Sequence, residues 1–190
     1  MVENKGLARR QILDTASRLF YREGFRAVGV DTIVEQSGVA KMTLYRYFPS
    51  KDDLIVAYLE ESNKNFWEWF EGAIEKEVGS PRQQLVALFD AVGVLATSPT
   101  CYGCTFQSTA AEFPELDHPG HRVALAHKQA VHDRFKALAV QAGAQQPEIL
   151  ADQLLLLMDG AFVATRMYGV NNPAAQVGQA AKVLIEAQLD

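Results

Sequence analysis

Between Ser37 and Phe48 the chain reads Ser-Gly-Val-Ala-Lys-Met-Thr-Leu-Tyr-Arg-Tyr-Phe, a short segment crowded with hydrogen-bond donors and aromatic hydroxyls. Lys41, Thr43, Tyr45, Arg46 and Tyr47 carry groups that reach phosphates or base edges, and Met42 can cover a thymine methyl. Val39 and Leu44 are the apolar anchors that would seat such a helix on its predecessor. Gly38 supplies the positive φ of a tight turn between two helices. That chemistry is the one a recognition helix needs in the major groove of double-stranded DNA. The bland alternative is a helical hairpin with a solvated face.

The flanks argue for the first reading, because they supply the elements that must position the segment. Ile12, Ala16, Leu19 and Phe20 recur at helical spacing, which predicts a helix over 8–23 with Gly24 as its stop. A second, short helix is predicted over 31–37, with Ile33 and Val34 turned inward and Gly38 ending it. Downstream, Pro49 breaks the recognition helix, and Ser50 followed by Asp53 forms a capping-box pattern for a long helix from Lys51. Asp52 and Asp53 suit the positive end of that helix. Lys51, at the same end, is expected to hold a backbone phosphate.

Charge is partitioned along the 190 residues in the same sense. Residues 1–58 hold a net charge of +2, whereas the whole chain carries −5, so the remainder is acidic at −7. A DNA-binding head on an acidic body follows, and the acidic balance counts against a histone-like coating protein. No apolar run is long enough to span a bilayer, and Met1-Val-Glu-Asn-Lys lacks the apolar stretch of a signal peptide; the expected location is the cytoplasm.

Beyond the head, strand signals are nearly absent and helical patterns recur between Gly/Pro breaks. Helices are predicted over 51–77, 82–96, 104–112, 120–142, 148–168 and 174–188. The fold class is all-α. Residues 149–163 are apolar around most of the helix circumference, more than one core face can absorb, and the last helix carries Ala174, Ala175, Gly178, Ala180, Ala181 and Ala187 for close approach. A homodimer through these two helices is expected; a central helix buried within a monomer is the alternative.

The residues named so far resemble the TetR/AcrR family of bacterial transcriptional regulators. The likeness rests on Ala-Ser-Arg-Leu-Phe-Tyr-Arg-Glu-Gly-Phe (16–25), Gly38-Val39, Thr-Leu-Tyr-Arg-Tyr-Phe (43–48) and Ser-Lys-Asp-Asp-Leu (50–54). It implies about nine helices: a helix-turn-helix DNA-binding domain over 1–50, then an effector-binding and dimerisation domain over 51–190. It also implies a ligand-responsive repressor that binds a palindromic operator as a dimer and leaves it when a small-molecule effector fills the body. One departure is visible, since Val28-Gly29 stands where the family often has two threonines, so a hydroxyl that would cap the second helix and touch a phosphate is missing.

For the effector pocket the candidates are aromatic and polar groups of the rear helices, Trp67, Phe70, Phe106, Phe162 and Arg166, with Cys104 added by the family likeness. Such aromatic stripes also fill ordinary cores. Cys101-Tyr-Gly-Cys104 precedes all four histidines, His118, His121, His127 and His132, yet their spacing sets no clear ligand pair on one helical face, and no metal site is assigned. Gly-Cys-Thr-Phe (103–106) with Ala-Ala-Glu (110–112) resembles the reactive-cysteine stretch of NemR-like members, so a redox- or electrophile-sensing repressor acting through Cys104 is the alternative function. A buried, inert thiol at Cys104 is the preferred reading. An enzyme is not expected. The chain has no nucleophile elbow, glycine-rich phosphate loop or paired metal-ligand motif, and no cofactor is implied.

Overall fold

A computed structural model describes residues 3–75, 77 and 79–189, and regular structure among them consists of nine α-helices and one 3-10 turn. In chain order these are α1 (Glu3–Glu23), α2 (Val30–Ser37), α3 (Lys41–Tyr47), α4 (Lys51–Ile74), α5 (Pro81–Ala96), α6 (Thr105–Glu112), α7 (Pro119–Ala142), α8 (Pro147–Tyr168) and α9 (Val177–Leu189), with the 3-10 turn at Pro173–Gln176. The all-α class and the element order are those expected.

Three boundaries differ by more than one residue from the expected ones. The first helix begins at Glu3 rather than residue 8, because its opening turn has no apolar period to read. The fourth ends at Ile74 rather than residue 77; residue 76 of the expected span lies outside the described residues. The last predicted helix opens as a 3-10 turn, because the Asn172 side chain accepts from the Ala174 N–H while its carbonyl takes the Ala175 N–H at 3.3 Å.

The described chain divides by packing into two compact units. One takes in the chain up to Asn63 together with Thr105–Leu125; the other is Lys64–Cys104 together with the chain from Ala126. This packing division groups more of the chain with the helix-turn-helix than the functional partition at residue 50 does.

In the first unit, Ile12, Ala16, Leu19 and Phe20 of α1 are buried with Ile33, Leu44, Leu54 and Ile55, so the apolar period of each short helix points at one core. In the second unit the core is formed by Phe70, Leu85, Phe89, Phe135, Leu150, Leu154 and Ile185, all fully buried. Each such side chain contributes about 1.5–3 kcal/mol relative to its exposed state. Polar groups tie this core at its corners. Arg134 grips Glu71 with two bonds of 3.0 and 2.9 Å, and buried Asn172 and Thr165 both donate to the Ala96 carbonyl that ends α5. Along α7 and α8, Lys128–Asp159, His132–Asp152 and Lys136–Glu148 form successive polar rungs.

Candidate functional site

The helix-turn-helix forms where the spacing predicts it. Gly38 ends α2 at φ 67°, with its N–H returned to the Val34 carbonyl, and the chain then re-enters a helix at Lys41. A side chain at that φ would be strained, which explains glycine there. Leu44 and Ile33 are fully buried and Phe48 nearly so, pinning α3 on α2 and α1. No side chain caps α2 at Gly29, in keeping with the missing threonine, or α3 at Ala40. The capping box at the head of α4 is complete: the Asp53 N–H donates to Ser50 Oγ at 3.1 Å, and Ser50 N–H and Oγ–H donate to the Asp53 carboxylate at 2.9 and 2.7 Å.

With the anchors turned inward, α3 presents Lys41, Met42, Tyr45 and Arg46 to solvent, while Thr43 and Tyr47 are half-buried. Met42 is 82% exposed, an outlay of apolar surface that the fold does not use. The Arg46 guanidinium lies 5.1 Å over the Tyr47 ring, a cation–π contact that limits its freedom without satisfying its N–H donors. Lys41 is paired at 2.6 Å with Asp31 of α2, and this hydrogen bond raises its pKa.

Lys51 has a more internal place than its position in the sequence suggests. Its ammonium donates to the Phe25 carbonyl at 2.6 Å, and burial lowers its pKa while Glu112 and Asp52 act the other way. The remaining N–H donors are what it has left for a phosphate. The sequence carries no signal for the contacts that Asp31 and Glu112 make. Their partners stand 10 and more than 80 residues away, so only the folded arrangement reveals them.

The residues proposed for an effector pocket are distributed over both packing units. Trp67 and Phe70 pack together at 5.2 Å between ring centres, inside an aromatic cluster that also holds Phe66, Phe135 and His127. Phe70 is fully buried and Phe162 nearly so, both in the body core. Arg166 is exposed and donates to the Tyr102 carbonyl at 3.1 Å, so it fastens the loop before α6. Phe106 is buried in the other unit. Cys104 is half-buried and Cys101 buried, both as thiols. The histidines are divided: His118 and His121 belong to the first unit, His127 and His132 to the second. Among the described residues no group of His, Cys, Asp or Glu is placed to hold a metal ion, and no helix is long and apolar enough to cross a membrane.

Known proteins share both the head and the whole fold. Residues 12–58 match the family described as bacterial regulatory proteins, tetR family. The chain is 33% identical to SCO4454, a TetR-family transcriptional regulator from Streptomyces coelicolor, over 97% of this chain and 95% of that one, with a TM-score of 0.86. It is 24% identical over 174 residues to the HTH-type transcriptional regulator YjdC of Escherichia coli strain K12, spanning 92% of this chain and 90% of YjdC. Reduced Escherichia coli NemR, 19% identical, shares the fold at a TM-score of 0.80 over 93% of this chain and 95% of its own. A helix-turn-helix matched on its own and a fold matched over 97% of the chain give one answer: the protein belongs to the TetR family of transcriptional regulators, which bind DNA and are not enzymes.

Proposed function

We propose that the protein is a homodimeric repressor that binds a palindromic operator in the cytoplasm and leaves it when a small molecule occupies the body. Residues 1–50 read the operator, and residues 51–190 dimerise and take the effector. Lys41, Thr43, Tyr45 and Arg46 meet base edges or adjacent phosphates, and Tyr47 and Lys51 serve the backbone. The observation that carries the reading is an uncovered apolar strip on the body. Leu156, Val163 and Met167 on α8 and Val183 on α9 are between 46% and 72% exposed. Between the two helices runs a groove of about 250 Å³ lined by Leu156, Gly160, Ala164, Val177 and Ala180.

Small residues let a second copy approach closely, and an apolar strip of this kind favours a partner over water. A two-fold dimer would set two recognition helices about 34–36 Å apart on successive major-groove faces. The test is sedimentation of the wild-type chain at micromolar concentration, with footprinting on a duplex selected from a random library. A dimer protecting two inverted half-sites supports the reading; a monomer, or a single protected half-site, refutes it.

A second reading, a redox- or electrophile-sensing repressor acting through Cys104, draws on one observation. The half-buried Cys104 thiol immediately precedes the first turn of α6, where a helix N-terminus favours a thiolate.

A further inference from the structure

We propose that Glu112 is a positioning residue for operator recognition: from the last residue of α6, its carboxylate holds the α1–α2 turn and, through it, the placement of the recognition helix. The proposal rests on the DNA-reading role of α3.

The Glu112 carboxylate accepts two consecutive main-chain N–H groups, from Phe25 at 3.0 Å and from Arg26 at 2.7 Å. Charge-assisted bonds of this kind are the strong members of their class. The turn is shaped to receive them. Gly24 ends α1 at φ 89°, and a Cβ on it would stand 2.7 Å from Glu112 Oε1, so glycine here provides both the backbone conformation and the space for the carboxylate. The other side of the same residue is also held, since the Phe25 carbonyl takes the Lys51 ammonium at 2.6 Å. The peptide groups flanking Phe25 are thus fixed by an acid from α6 and a base from α4.

Side chains reinforce the junction. The fully buried Phe25 ring meets Phe20, Tyr58 and Phe113 at 5.2–5.9 Å, and the Arg26 guanidinium lies 5.7 Å over Phe113, the residue after Glu112. Phe113 in turn stacks on His118 at 4.1 Å.

The turn leads directly into α2, whose N-terminus at Gly29 has no side-chain cap, and α2 carries α3 through the Gly38 turn. The position of the turn therefore propagates to α3 through two short connections. A three-helix head needs no outside carboxylate to close its own core, so a pair of bonds spanning 87 and 86 residues of sequence is an added constraint on its geometry. Base-edge contacts depend on that geometry, whereas general attraction to phosphates does not.

The experiment compares full-length wild type with Glu112→Ala and Glu112→Gln. It measures affinity for a duplex selected by the wild-type protein from a random library, affinity for a random duplex, and amide hydrogen exchange at Phe25 and Arg26. Expected for alanine is faster exchange at both amides and about a tenfold loss on the selected duplex. Binding to random duplex should be unchanged or slightly stronger, because one acidic charge is gone. Glutamine keeps one acceptor oxygen and should fall between. Selected-duplex affinity that stays at the wild-type level despite faster exchange overturns the proposal, and so does unaltered exchange. An equal loss on both duplexes overturns it too, since that marks a head that is merely destabilised. If the alanine head melts below the assay temperature, the glutamine variant decides by the same comparison. A wild-type protein that selects no duplex would instead refute the DNA-reading role of α3, whatever Glu112 does.

Discussion

Lys41, the first residue of α3, holds Asp31 of the preceding helix at 2.6 Å, so the only lysine of α3 is already paired with an exposed acid. On the proposed recognition surface, Asp31 would be a carboxylate that repels phosphate and competes for the ammonium. Asp31→Asn should strengthen binding to any duplex at low salt and steepen the slope of log K against log salt by about one. Titrations across a salt series on selected and random duplexes measure this; an unchanged slope would mean that Lys41 stays clear of the backbone field.

Arg46 and Lys51 should separate base reading from backbone holding. Arg46 is exposed with free donor capacity above Tyr47, so Arg46→Ala should cost about 1–3 kcal/mol on the operator and little on random DNA. Lys51→Ala should weaken both duplexes and lower the salt slope by about one. It also removes the bond to the Phe25 carbonyl, which adds about 0.5–1.5 kcal/mol of lost stability. Mobility-shift assays alongside thermal melts resolve the two effects. Both variants binding operator like wild type would displace the assigned surface.

Leu156 and Phe162 lie on different faces of α8 and should respond differently to the same charge. Leu156 is 72% exposed and Phe162 only 7%. Leu156→Asp places a carboxylate on the strip a second copy would cover, so a folded monomer is expected. Phe162→Asp buries an unpaired carboxylate in the core and should unfold the body. Sedimentation and circular dichroism together distinguish these outcomes, and a Leu156→Asp protein that remains dimeric would move the interface elsewhere.

How much was legible follows from the range of each interaction. The helix-turn-helix could be read because its signals are local: Gly38, the Ser50–Asp53 box and the anchors Ile33 and Leu44 each act within a few residues. The double-sided apolar pattern of α8 was also visible, but its faces were not assigned, because the sequence alone does not say which of Leu156 and Phe162 meets the core. Lys51 read as a phosphate ligand from its place at a helix start, yet its nearest acceptor comes from a turn 26 residues earlier. Glu112 carried no signal for its partners, which are main-chain groups that any residue possesses. The proposed pocket residues other than Cys104 were chosen by type, which does not separate a pocket wall from a core, and Phe70 and Phe162 pack in the body core.

His127 should make stability depend on pH. It is buried edge-on to Phe66 at 4.6 Å, and its pKa is lowered to about 3, by burial first and by the Lys128 charge second. The unfolded chain binds this proton near pH 6.5 and the folded chain only near 3, so the contribution is complete above 6.5 and is lost as pH falls between those values. Between pH 7 and pH 5 wild type should lose about 1–2 kcal/mol relative to His127→Leu. Urea unfolding at both values measures the difference. Parallel losses in the two proteins would mean that His127 is not the titrating group.

Cys104 decides between a noncovalent signal and a covalent one. Reactivity requires a thiolate that reagents can reach, stabilised by positive charge or a helix N-terminus. Cys104 has the helix start beside it, but its side chain is half-covered against the body core, and the loop before it is fastened by Arg166 to the Tyr102 carbonyl. A packed thiol of that kind serves as a small apolar residue. Under a mild oxidant or electrophile, operator binding by wild type and by Cys104→Ser should therefore be equally unaffected, and release should await a ligand that binds one body conformation better than the other. Loss of binding in wild type alone, restored by reductant, would establish the opposite: the thiol is the receptor, and the signal is the redox state of its surroundings.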